Sequence, residues 1–269
     1  MRQVAQQEVD PLGLDNVSGA FKPGRPAFIA YAVAGYPDRA ASLRVFERLA
    51  ACGADLLEVG VPFSDPLADG RVIQAAAQQA LAQSGTTLAD CIAIVAELRA
   101  RGVPTPVLLM SYVNPILSYG IPHCVADGAA AGVDGFIVPD LPPEEADALE
   151  NACREHDLAL VHLLAPTSPP ERITLVAQRA RGFIYLVSVT GVTGARATLP
   201  PDLAAFVARV RAATTTPLAV GFGIRSGEQA HAVGRLADGV IVGSALVECA
   251  GRSLDELAAL AREIRLALA

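Results

Sequence analysis

Glu58 interrupts the otherwise apolar run Asp55-Leu-Leu-Glu-Val-Gly60. A carboxylate in a strand buried on both faces is costly unless it is paired or opens onto a site. Two readings follow: an ion-paired glutamate at a strand end, or an acid–base group. A carboxyl in a partly apolar cleft has a raised pKa, which suits a group that both gives and takes protons. Asp65 and Asp69 come next, in Val61-Pro-Phe-Ser-Asp-Pro-Leu-Ala-Asp-Gly70. Two prolines restrain that backbone. Its aspartates are either groups positioned for chemistry or turn-formers whose side chains bond their own backbone.

Glycine suggests a second chemistry. Val189-Thr-Gly-Val-Thr-Gly-Ala195, Gly221-Phe-Gly-Ile224 and Gly243-Ser244 each follow an apolar run. Glycine lets backbone N–H groups approach an anion closely, so three such turns in succession point to a phosphate site. The alternative is that they serve only as tight turns. The four histidines (His123, His156, His162 and His231) show no metal-ligand spacing, and no metal is expected. His162 lies within an apolar run and reads as a satisfied core or pocket-wall residue. The five cysteines form no CxxC and read as reduced thiols.

These groups need elements to hold them. Apolar runs at 26–33, 55–60, 105–110, 134–138, 158–163, 183–187, 218–221 and 239–242 read as strands covered on both faces. Amphipathic patterns at 40–51, 87–101, 121–131, 143–156, 170–181, 201–213, 226–236 and 253–269 read as helices. The second opens with Thr-Leu-Ala-Asp, a capping box. Eight strands alternating with helices predict an α/β fold, a single (βα)8 TIM barrel of the phosphate-binding type. It spans 26–269, with extra helical segments in the loops after strands two and eight. Residues 1–25 read as an irregular segment covering the barrel bottom. A doubly wound sheet lacks its GxGxxG after the first strand. The segments 61–84 and 188–199 are long, and in a barrel they lie at the C-terminal face, where sites are built.

Composition bounds the partners. The 269 residues carry a net charge of −7, without clustered Lys and Arg, which argues against a nucleic-acid surface. A phosphorylated small molecule stays possible, because backbone N–H groups bind phosphate without basic side chains. The chain is 52% hydrophobic with a mean hydropathy of +0.39, yet its apolar runs are strand-length, so no membrane span is expected. The N-terminus lacks a secretory apolar segment, and a cytoplasmic location is expected.

The carboxylate motif Leu57-Glu-Val-Gly-Val-Pro-Phe-Ser-Asp-Pro-Leu-Ala-Asp-Gly70 resembles the signature of tryptophan synthase α subunits. The likeness continues through Leu109-Met-Ser-Tyr-Val-Asn-Pro115, Val138-Pro-Asp-Leu-Pro-Pro-Glu-Glu145, Tyr185, Thr190-Gly-Val-Thr-Gly-Ala195, Gly221-Phe-Gly-Ile224 and Val242-Gly-Ser-Ala245. It implies cleavage of indole-3-glycerol phosphate to indole and glyceraldehyde 3-phosphate. Glu58 matches the acid–base that protonates indole C3. Asp69 matches the aspartate on the indole N–H, and Tyr185 a tyrosine beside the catalytic carboxylate. Tyr31, Met110 and Tyr112 match the indole pocket. Gly194, Gly223, Gly243 and Ser244 match the phosphate cradle, and Thr193 a residue of the closing loop. No cofactor is implied. A β subunit is the implied partner, in an α2β2 assembly. Two variants of this reading differ in the partner: a stand-alone lyase releasing indole, and a weakly active subunit that mainly activates a β partner. A sugar-phosphate isomerase would need other carboxylates or metal-binding histidines. The sequence departs from the family at Ala30, where proline is usual, at Val33 (threonine) and at Arg71 (proline). Arg225 stands where serine is common. Gly13, Gly19, Pro23 and Gly24 weaken any N-terminal helix.

Overall fold

The computed structural model describes residues 13–187, 201–221 and 223–269. Eight parallel strands close into one barrel in chain order. They are β1 (Ala27–Val33), β2 (Leu56–Gly60), β3 (Val107–Met110), β4 (Gly135–Ile137), β5 (Ala159–Leu164), β6 (Ile184–Val187), β7 (Leu218–Gly221) and β8 (Gly239–Val242), and β8 pairs back to β1. Every expected strand is present, its ends moved by no more than about two residues.

Helices α1 (Leu14–Gly19) and α2 (Arg39–Ala51) flank β1, and α3 (Arg71–Ser84) and α4 (Leu88–Ala100) follow β2. After β3 come α5 (Val113–Tyr119) and α6 (Ile121–Ala131). Helices α7 (Asp147–Glu155), α8 (Pro170–Arg179), α9 (Leu203–Arg211) and α10 (Gly227–Gly234) follow β4 to β7 in turn, and α11 (Ser244–Ala250) and α12 (Leu254–Ala267) close the chain. The extra segments expected after strands two and eight are α3 and α11. The Thr87 hydroxyl accepts the Asp90 N–H while the Asp90 carboxylate accepts the Thr87 N–H, so α4 opens with the expected capping box. Helix α7 starts later than the pattern suggested. Pro142 and Pro143 bring no N–H, and a 3-10 turn at Pro143–Glu145 intervenes.

Alternation along the strands sorts side chains into two layers. Ile29, Tyr31, Leu56, Leu108, Met110, Val161, Tyr185, Ala219 and Ile241 fill the barrel. Phe28, Leu57, Val59, Leu109, Phe136 and Leu160 pack outward against the helices. Glu58, between Leu57 and Val59, therefore faces in. His162, beside Val161, faces out, where its Nε2 lies 2.9 Å from Glu150 Oε1 on α7. It is a satisfied core residue behind the barrel wall. All five cysteines are buried in the outer layer.

Register is clamped at the N-terminal ends of the strands by three aspartates. Asp55 donates its N–H to the Phe28 carbonyl (2.8 Å) and accepts the Phe28 N–H on its carboxylate (2.9 Å). Asp134 does the same with Val107 (2.8 and 2.7 Å), and Asp238 with Leu218 (2.9 and 2.7 Å). Each carboxylate is also paired with arginine: Asp55 with Arg25 and Arg265, Asp134 with Arg99, Asp238 with Arg211. A one-residue slip would strand three charged groups and turn every inward residue outward. At this same end Phe21 packs against Phe183, ring centroids 5.3 Å apart, and the Leu14 N–H donates to the Asp157 carbonyl (2.8 Å). Helix α1 runs only from Leu14 to Gly19, with Gly13 as its N-cap, so two of the glycines noted as helix-weakening bound it.

Candidate active site

At the opposite end, side chains of five strands, Ile241 of β8 among them, line one cavity of about 310 Å3. Tyr31 comes from β1, Glu58 from β2, Met110 from β3 and Tyr185 from β6. Asp69 enters from the loop before α3, and Gly223, Gly243 and Ser244 from the ends of β7 and β8.

Glu58 is 1% exposed, and among the described residues neither of its carboxylate oxygens has a hydrogen-bond partner. Burial raises its pKa from 4.5 to about 8. At neutral pH it is an acid with a proton to give. The ion-paired alternative therefore fails.

Asp69 is held differently. Its carboxylate accepts a hydrogen bond from the Tyr112 hydroxyl (2.9 Å), which in turn accepts the Ala68 N–H (2.9 Å). Burial raises its pKa to about 6, and the Tyr112 bond works against that rise. Asp69 is thus ionised at neutral pH while Glu58 is not. Tyr112 stands behind Asp69 rather than lining the cavity, and stacks on Phe63 at 5.2 Å between centroids. It anchors the loop at both ends. Asp65 is exposed, accepts the Ser64 hydroxyl and lends its carbonyl to the Leu67 N–H, so it serves the turn.

Two tyrosines complete the wall. Burial, with Asp69 and Glu58 adding, holds Tyr31 well above the ordinary phenol pKa, and burial with Glu58 and Asp69 does the same to Tyr185. Both remain neutral. Each lies over a glycine of the neighbouring strand. A Cβ on Gly60 would sit 2.2 Å from the Tyr31 hydroxyl oxygen, and one on Gly221 2.4 Å from that of Tyr185. These two glycines are site residues that sequence reasoning did not single out for this purpose. Their signal was a glycine closing each strand, which marks a close approach.

The far end of the cavity is built from the turns that follow β7 and β8. Gly223 takes φ +87°, a left-handed conformation that side chains resist, and Gly243 is the N-cap of α11. Backbone N–H groups there suit an anion. Gly194 and Thr193 lie outside the described residues.

The family model described as tryptophan synthase alpha chain matches residues 18–267. The chain belongs to this family. The tryptophan synthase alpha chain of Chloroflexus aurantiacus is 53% identical over 225 residues, 84% of each chain. That of Dehalococcoides mccartyi is 48% identical over 257 residues, 95% of this chain and all of its own. Among solved structures, Mycobacterium tuberculosis tryptophan synthase aligns with a TM-score of 0.88 at 40% identity, covering 96% of this chain and 99% of that one. The tryptophan synthase subunit alpha of Legionella pneumophila aligns at 0.86 and 37%, covering 95% and 97%. The fold expected from the sequence, a TIM barrel, is the fold of the tryptophan synthase alpha family. The two carboxylates of its signature stretch, 11 positions apart in the chain, face one cavity.

Proposed function

We propose that the chain catalyses the α reaction of tryptophan synthase, the retro-aldol cleavage of indole-3-glycerol phosphate to indole and glyceraldehyde 3-phosphate. The observation that carries this reading is the pair of carboxylates facing one cavity, Glu58 buried without a partner among the described residues and Asp69 bonded by Tyr112. Protonated Glu58 delivers its proton to indole C3. Ionised Asp69 accepts the indole N–H and stabilises the positive charge that protonation places on the ring. The bond between C3 and the glycerol carbon then breaks, its electrons returning to the ring. The side-chain hydroxyl becomes the aldehyde, and Glu58, now a carboxylate, takes the released proton. The cycle leaves the enzyme as it began. Tyr31, Met110 and Tyr185 shape the indole pocket, and Gly223, Gly243 and Ser244, with Gly194, hold the phosphate. No cofactor takes part in this scheme.

The partner is a tryptophan synthase β subunit, in an α2β2 assembly that receives the indole. Leu67, 90% exposed on the loop that carries Asp69, gives the docking face an apolar contact beside the site. The reading places the protein in the cytoplasm.

Indole release by the purified chain, with and without a β subunit, tests this reading. Slow turnover that rises strongly with the partner is the expected result. Fast turnover indifferent to the partner would make the chain a stand-alone lyase. Absence of turnover in both would end the assignment. The tether on Asp69 makes a further expectation. Tyr112→Phe loses the bonds to Ala68 and Asp69, and kcat/KM should fall about tenfold. Steady-state kinetics checks this, and an unchanged kcat/KM would mean the loop holds Asp69 without it.

A further inference from the structure

We infer that Arg225 is a substrate-binding residue that grips the phosphate of the substrate, held in place by Glu248. This deepens the reading above and rests on it for the identity of the phosphorylated substrate. Arg225 and Glu248 both line the cavity that contains Glu58, and their side chains form an ion pair. Glu248 lies four residues after Ser244 on α11, so the two share a helix face and stand about 5–6 Å apart at Cβ. The pair therefore fixes the guanidinium one helical turn from the Gly243–Ser244 end of the cavity.

The backbone that carries Arg225 is fixed as well. Its N–H donates to the Gln229 side chain (2.7 Å), while the Ser226 hydroxyl accepts the Gln229 N–H (3.3 Å) at the start of α10. Ile224, one residue before, is 3% exposed and anchors the turn from the other side. The loop thus fixes the backbone from which the Arg225 side chain reaches the cavity lining. A guanidinium carries five N–H donors in a planar fork, and Glu248 engages one nitrogen. Donors remain for a phosphate oxygen, the group that arginine recognises with two parallel bonds. Arg71 lines the same cavity from the start of α3 and adds a second positive charge. In this chain, then, a fixed cation supplements the backbone donors of the glycine turns.

The test measures binding of two probes, inorganic phosphate and indole, to wild type, Arg225→Ser and Arg225→Lys by calorimetry or NMR titration. The serine variant should weaken phosphate about tenfold and leave indole affinity unchanged. The lysine variant, keeping the charge without the fork, should fall between. KM for indole-3-glycerol phosphate should rise in parallel, carrying most of the loss in kcat/KM. Phosphate affinity within about twofold of wild type in the serine variant would overturn the inference, as would an equal loss of indole affinity or wild-type protein that does not bind phosphate. Because phosphate binding is read without turnover, a wild-type protein inert towards indole-3-glycerol phosphate would sink the assigned reaction. An arginine-dependent phosphate site would survive that result.

Discussion

Glu58→Gln is expected to lower kcat about a thousandfold, within the range for removing a general acid–base. The same change should stabilise the protein, and by an amount that depends on pH. The carboxyl has a pKa of about 8 when folded and 4.5 as its ordinary value. Between those limits the folded state keeps a proton that the unfolded chain has released, so native stability falls as pH rises. The full displacement corresponds to about 5 kcal/mol. Glutamine does not titrate. The variant should therefore gain on wild type progressively from about pH 5 to pH 8, and little below. Urea midpoints at the two ends of that window decide the matter. Parallel stability curves would show that Glu58 is not a buried acid, whatever its effect on rate.

Asp69→Asn should cost about 3–4 kcal/mol of transition-state stabilisation, a few hundredfold in kcat/KM. Its signature lies in the pH profile. Catalysis by wild type needs Asp69 ionised and Glu58 protonated, and their pKa values of about 6 and about 8 leave a window between them. The profile of kcat/KM should climb through the first value and decline through the second. Asparagine removes the acidic limb and leaves the basic one. A variant that kept both limbs would relieve Asp69 of its role at the ring nitrogen.

The barrel was legible because strands covered on both faces must be apolar throughout, and the turns between them carry glycine and proline. Glu58 was legible for the opposite reason, since it contradicts its surroundings. Residue type and loop context alone left Asp65 and Asp69 open between positioned groups and turn-formers, because both uses favour the same residue, and only the family resemblance singled out Asp69. The contacts separate them: Asp69 meets Tyr112 across 43 positions, and Asp65 meets its neighbour Ser64. Tyr112 was expected on the pocket wall, but its task depends on a partner far away in sequence. Gly60 and Gly221 matter through the tyrosine on the adjoining strand, a relation that appears only once register is set. Helix α5, seven residues long, is too short to announce itself by period. Arg225 stood out by type, yet its partner Glu248 did not.

The burial of all five thiols has a practical side. Thiol-reactive dyes meet no native cysteine on the folded surface, so the protein is optically silent to them without any cysteine being replaced. A single cysteine introduced at Leu67, on the loop that carries Asp69, would accept a fluorophore alone. Its emission would then follow loop movement and the arrival of a partner in real time, on the protein with its own core intact.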